Sequence, residues 1–347
     1  MKFKRDLTVD IVRSIAIILM VGANMAILSH DSAPWLFRLA SSLAAPLFIT
    51  LASMMVGLSY KKENSLLLSI ERCFFLFIVA GLFDFMNQLI PFVNFDVLYF
   101  IGISLPIINL LGRLNNKIIL FLSVIILSIT PFLQFHMHYE PTVFLTLPTE
   151  NFHIYWLTFL KEAPHRYLID GWFPLFPWLS ISLFGVLVGK MRYATTAIRT
   201  FAHPAFITAA LLLLVVGAML WQHFPGQQSV RYGYIELFCP PVPGFMIFAM
   251  GMALSVLIII DYLHPRIPLL ISLRPLGEAS LFMYLFHIAA IDHLLLPLAG
   301  IIGFNTHYLL YYLALLATMY LLGIALEKLR TFTFYKKTPH VVRWILG

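Results

Sequence analysis

The sequence predicts an all-α fold, a polytopic transmembrane bundle of about ten helices with both termini cytoplasmic. Three observations carry this expectation. The 347 residues are 61% hydrophobic and 11% charged, and their mean hydropathy of +0.89 lies far outside the range of a water-soluble domain. Apolar runs recur at lengths that cross about 30 Å of hydrocarbon. Basic residues gather in alternate connections between those runs.

Taken in order, the candidate spans fall at about 10–29, 35–59, 66–90, 96–111, 117–135, 172–189, 204–222, 242–261, 277–297 and 307–327. The first follows the charged MKFKRDLTVD and continues past the length of a secretory signal without a small-residue cleavage site, which marks it as a retained span. The fourth is short. The sixth carries Pro174 and Pro177 near its start, where proline costs least because the first backbone N–H groups of a helix have no internal partner. No stretch reads as a separate soluble domain, so residues 1–347 are expected to form one transmembrane domain.

Lys2, Lys4 and Arg5, Lys61 and Lys62, Arg113 and Lys117, Lys190 and Arg192, Arg266 and Arg274, and Lys336 and Lys337 fall on the side of the N-terminus. Arg38, Lys161, Arg166 and Arg231 fall on the other. That bias puts the N-terminal side in the cytoplasm. It also accounts for the +7 net charge through attraction to anionic membrane lipids, so no nucleic-acid partner is implied.

On the far side, residues 136–171 and 223–241 form the long connections, and FHIYWLTFLKEA within the first reads as an aromatic helix lying in the interface. Cys73 and Cys239 fall near opposite membrane faces and suggest neither a disulfide nor a metal site. No helical repeat points to an inverted-repeat transporter.

Polar residues inside spans carry the functional information, since each costs roughly 2.5–3.5 kcal/mol at a helix centre unless it meets protein or water. In DIVRSIAIILMVGAN, Arg13 and Asn24 lie eleven residues apart, about three turns and ~16 Å along one face, with Asp10 one turn before Arg13. Two readings of Arg13 stand: an anchor snorkelling to lipid phosphate, or a guanidinium facing a cytoplasmic cavity that binds a phosphorylated ligand. His30 follows Asn24 in the loop SHDSAP, as a solvated side chain or as a base beside an orienting amide. Asp84, Asn87 and Asp96 read as caps or interhelical hydrogen-bonding groups. In PLGEASLFMYLFHIAAIDHLLLP, Ser280, Tyr284 and His287 share one helical face, and His287 is either a satisfied packing residue or part of a reaction path. No glycine-rich nucleotide loop, zinc spacing or serine-hydrolase elbow is present.

The blocks RSIAIILMVGAN, SSLAAPLFITLASMMVGLSY, NFDVLYFIGISL, GWFPLFPWLSISLFGVLVGK and RPLGEASLFMYLFH resemble, in order and over most of the chain, the heparan-α-glucosaminide N-acetyltransferase-like family of membrane acyltransferases. That family, with the related acyltransferase-three family, takes an acyl group from cytoplasmic acyl-CoA to a sugar across the membrane. By this resemblance Arg13 and Asn24 match the family's Arg-x10-Asn pattern, and His30 resembles its catalytic histidine at a shorter spacing. Ser14 stands where a glycine is usual. The resemblance implies Arg13 for donor binding and Asn24 and His30 for catalysis, with acetyl-CoA as co-substrate; the helical faces add His287 as the reserve base and Asp10, Tyr284 and Ser280 to the donor-binding set, and no metal is expected. The expected acceptor is an amine or hydroxyl of an extracytoplasmic sugar or glycan, and the expected location a bacterial inner membrane. The sequence leaves the acceptor and the oligomeric state open, a homodimer included. The alternative is a transporter or lipid-binding membrane protein without covalent chemistry.

Overall fold

The computed structural model describes residues 5–26, 34–87, 89–139, 152–194, 200–226, 235–298, 308–332, 335 and 337–347. Among them the regular structure is helical. In chain order the helices are α1 (Leu7–Met25), α2 (Trp35–Ser42), α3 (Ala44–Ser59), α4 (Ser65–Met86), α5 (Val97–Leu111), α6 (Asn116–His136), α7 (Phe152–His165), α8 (Leu175–Arg192), α9 (Pro204–His223) and α10 (Pro243–Leu263). They are followed by α11 (Pro268–Ser272), α12 (Arg274–Glu278), α13 (Ser280–Ala290), α14 (Tyr308–Thr331) and α15 (His340–Leu346). Single π-helical turns, Arg166–Asp170 and Ile291–Leu295, extend α7 and α13.

Among the described residues nine helices are long and apolar enough to cross a membrane, with α2 and α3 forming one span and α5 falling short at 15 residues. This is the all-α polytopic architecture expected from hydropathy. The apolar side chains left exposed mark the lipid-facing surfaces: Phe74, Ile78 and Leu82 on α4, Leu211, Leu212 and Val215 on α9, and Leu309, Leu310 and Leu313 on α14. Bare apolar stripes of this length are stable where the solvent is hydrocarbon. The loop segment read as an aromatic helix is α7, and neither Cys73 nor Cys239 forms a disulfide among the described residues.

By its contacts the chain divides into two compact units. Unit 1 comprises Met1–Phe48, Val230–Leu237 and Ala253–Gly347; unit 2 comprises Ile49–Ser229 and Phe238–Met252. In unit 2, α4 packs on α5, where the Tyr99 hydroxyl donates to Asp84 Oδ2 at 2.5 Å. Asp84 is thus an interhelical hydrogen-bonding group, one of the two roles open to it. Asp96 stands at the N-cap of α5 without a side-chain capping bond. The Ser123 hydroxyl donates to the Ser180 carbonyl at 3.1 Å, joining α6 to α8.

Unit 1 is built around α1, whose Ile11, Val12, Ala16, Ile17 and Val21 are fully buried. The hydroxyls of Tyr308 and Tyr312 on α14 donate to the carbonyls of Gly22 and Ile18 at 3.1 and 2.9 Å, gripping α1 over successive turns. At its other end, Ser14 Oγ reaches the Leu273 carbonyl at 2.7 Å and Thr8 Oγ1 reaches Asp261 at 2.7 Å.

The expected helix 277–297 is broken: α12 ends at Glu278, Ala279 leaves helical geometry (φ −102°, ψ 34°), and α13 begins at Ser280. Packing explains the break. Gly277 lies directly on the α1 backbone, where a Cβ would collide with the Asp10 carbonyl oxygen and stand 2.8 Å from Ser14 Oγ. Because the obstacle is backbone, it cannot rotate aside. Gly277→Ala is therefore expected to destabilise the protein by about 1–3 kcal/mol or more through overpacking, read as a lowered Tm in detergent. An unchanged Tm would mean that α1 and α12 separate freely.

Candidate active site

The polar residues of α1 form two clusters, one at each end of the helix. At the Asn24 end, Asn24 Nδ2 lies 2.7 Å from His287 Nε2 on α13. His287 Nδ1 lies 3.1 Å from the Met283 carbonyl. A carbonyl only accepts, so Nδ1 carries the hydrogen, and the Nε2 lone pair receives the Asn24 amide N–H. His287 is 0% exposed, and both of its nitrogens are satisfied, as burial of a polar ring requires. The Tyr284 ring meets the imidazole edge-on at 5.5 Å.

Asn24 itself is half-buried. His287 supplies its one hydrogen bond among the described residues, and neither its carbonyl oxygen nor its nitrogen is among the enclosed unpaired atoms. One amide N–H is thus fixed by the imidazole, which sets the plane of the amide and with it the positions of the second N–H and the oxygen. A short polar side chain held this way is a preorganised donor, because its direction is set before any ligand arrives.

At the opposite end, about 21 Å along α1 at 1.5 Å per residue, Asp10 is 2% exposed. It is held by Arg5 Nε at 2.6 Å and Arg13 Nη1 at 3.3 Å. A buried carboxylate without cations would be severely destabilising, so the two guanidiniums make the position tenable. A second carboxylate, Glu278, takes Arg5 at 3.4 Å, Arg274 at 3.3 Å and Arg330. Glu327 takes Arg274 from α14. Burial alone lowers the Arg5 pKa, but the hydrogen bond and charge of Asp10, with Glu278 behind it, hold it above the ordinary value. The cluster has four guanidiniums against three carboxylates. Arg13 keeps 21% of its side chain exposed.

Of the residues singled out from sequence, Asp10 and Arg13 therefore meet at one end, and Asn24, His287 and Tyr284 at the other. Ser280 opens α13, and no hydrogen bond joins it to either cluster among the described residues. His30 lies outside the described residues. Sequence reasoning missed Glu278 as a hub for arginines from three segments. Its i, i+4 spacing from Arg274 was the one local signal. Among the described residues no group of three or more His, Cys, Asp or Glu side chains gathers as metal ligands would.

In unit 1, an arginine–carboxylate cluster at one end of α1 and an imidazole-held amide at the other give a membrane-spanning helix two polar ends. The chain belongs to the heparan-alpha-glucosaminide N-acetyltransferase catalytic family, which matches residues 5–221. That match makes it a member of an acetyltransferase family. No curated protein matches it. The matched segment contains Arg13, Asn24 and His30 but ends before α13. His287 is thus brought to Asn24 by tertiary packing from beyond it.

Proposed function

We propose that the protein moves an acetyl group from cytoplasmic acetyl-CoA to an amine or hydroxyl of a sugar on the extracytoplasmic side. Both termini lie in the cytoplasm in this reading. The observation that carries it is the distribution of chemistry along α1, with guanidiniums at the Asp10 end and an oriented amide at the Asn24 end. Acetyl-CoA is too highly charged to cross hydrocarbon, but its pantetheine arm is slim. In this reading Arg13 holds the nucleotide and the arm reaches toward the other end of α1, presenting the thioester near Asn24.

The acceptor nitrogen or oxygen attacks the thioester carbonyl as His30 removes its proton, and the second N–H of Asn24 stabilises the oxyanion of the tetrahedral intermediate. Collapse forms the amide or ester, breaks the C–S bond and releases CoA as its thiol, the sulfur taking up the proton. His287 acts through Asn24 by holding its other N–H. Tyr284 closes one side of the imidazole.

Purified protein given radiolabelled acetyl-CoA and mixed glycan acceptors is expected to release free CoA thiol and label the glycan. No release across acceptors and acyl donors favours a transporter or lipid-binding role. In the same preparation, Arg13→Ala is expected to weaken acetyl-CoA binding by about tenfold or more, the scale of a charge-assisted hydrogen bond. Arg13→Lys restores it in part, because a point charge replaces a planar fork. Unchanged affinity in folded Arg13→Ala would leave Arg13 as a lipid anchor.

A further inference from the structure

A second group of charged side chains lies in unit 2, at the end where α6 finishes and α8 begins, on the π turn that follows α7. Arg166 is 5% exposed and Asp170 2%. His165 bridges Asp170 Oδ2 at 2.7 Å and the Met137 carbonyl at 2.5 Å, which commits one oxygen of Asp170. The other oxygen, Oδ1, stands 3.9 Å from Arg166 Nε, too far for a hydrogen bond. Both atoms are enclosed without hydrogen-bond partners.

The backbone keeps that gap open. Gly171 N–H donates to the Arg166 carbonyl at 2.9 Å, and Trp172 and Phe173 N–H donate to the carbonyls of Asn94 and Phe95 at 3.2 and 3.1 Å. A Cβ on Gly171 would stand 2.5 Å from the Arg166 carbonyl and 2.9 Å from Phe95 Cβ, so the turn fits only glycine. Tyr167 stacks on Phe95 with ring centroids 4.2 Å apart. Neither Arg166 nor Asp170 is on a segment free to slide toward the other.

A guanidinium has five donors and cannot lose its charge. Desolvating it without acceptors is costly. Here Nε is enclosed and faces Asp170, whereas neither Nη nitrogen is among the enclosed unpaired atoms. The outer edge of the fork is therefore the part that an approaching group meets, and it matches the planar geometry of a carboxylate or the oxygens of a sulfate or phosphate. Placement on a π turn is common for functional sites. We propose that Arg166 anchors an oxyanion-binding site in unit 2, taking a carboxylate, sulfate or phosphate group of a small ligand through its Nη edge. Asp170 and His165 position the guanidinium and, through the Asp170 charge, limit the affinity.

Thermal unfolding of the full chain in detergent tests this, with sodium sulfate, phosphate or glucuronate titrated against chloride at fixed ionic strength and glucose as the neutral control. Site binding raises Tm along a saturating curve, whereas general exclusion of sulfate from protein surface gives a rise without saturation. The glucuronate arm separates a carboxylated saccharide from a free inorganic anion. The parent is expected to show the saturable rise with at least one oxyanion and none with glucose. Arg166→Gln abolishes the saturable part, and Arg166→Lys weakens it about tenfold, the scale of one charged hydrogen bond. Asp170→Asn moves the midpoint to lower anion concentration, because a competing carboxylate is gone. No saturable rise in the parent, the same rise in Arg166→Gln, or an unchanged midpoint in Asp170→Asn each overturns the proposal. Should Arg166→Gln fail to fold, the parent and Asp170→Asn titrations decide. The measurement reads binding alone, so its outcome is independent of acetyl transfer.

Discussion

Asn24→Ala is expected to lower acetyl transfer by about a hundredfold to a thousandfold, the usual loss when one oxyanion donor is removed. Acetyl-CoA affinity should change little, because the nucleotide is held at the other end of α1. His287 separates this role from simple packing. His287→Gln keeps an acceptor for the Asn24 N–H and should retain most of the turnover. His287→Phe fills the volume but offers no acceptor at Nε2, so it should lower kcat while leaving KM for acetyl-CoA nearly unchanged. If both His287 variants are equally active and fold equally well, the imidazole does not orient Asn24. A fall in stability alone, with kcat per folded molecule preserved, would make the pair a packing contact.

His30→Ala is expected to reduce turnover by about a hundredfold to ten-thousandfold, the range of a general base, again with acetyl-CoA binding intact. Activity of the parent protein should rise with pH through an apparent pKa near that of free imidazole, roughly 6.5 before environmental shifts. The sign follows from the chemistry: the base accepts a proton only when neutral, so activity is lost as pH falls below its pKa. The geometry around His287 favours this assignment. Its Nε2 lone pair is engaged by Asn24 and its ring is fully buried. Full turnover in His30→Ala, together with a folded, acetyl-CoA-binding but inactive His287→Ala, would exchange the two roles.

The spans were legible in the sequence because membrane insertion is a local property: some twenty apolar residues suffice, whatever they later touch. The short α5 and the aromatic α7 were readable on the same ground. The placement of Asp10, Arg13 and Asn24 on one face of α1 was also legible, since a 3.6-residue period orders side chains along a single helix. So was the family, whose match begins at residue 5 and includes that helix.

Which helix meets that face was not. Asn24 and His287 are 263 residues apart, and hydropathy placed one near the membrane surface and the other near its middle. Relative depth and rotation of two helices are set by side-chain packing and close backbone approach, to which a hydropathy window is blind. Gly277 on the Asp10 carbonyl, with the break at Ala279 behind it, seats α13 against α1. Glu278, an ordinary helix-end residue in the sequence, becomes the partner of Arg5, Arg274 and Arg330 only when three segments converge. The sequence by itself determined a membrane-spanning acetyltransferase-family chain and one polar helix face. Tertiary structure alone decided that an imidazole holds the amide at one end of that face, because an interhelical hydrogen bond depends on atoms that no local pattern brings together.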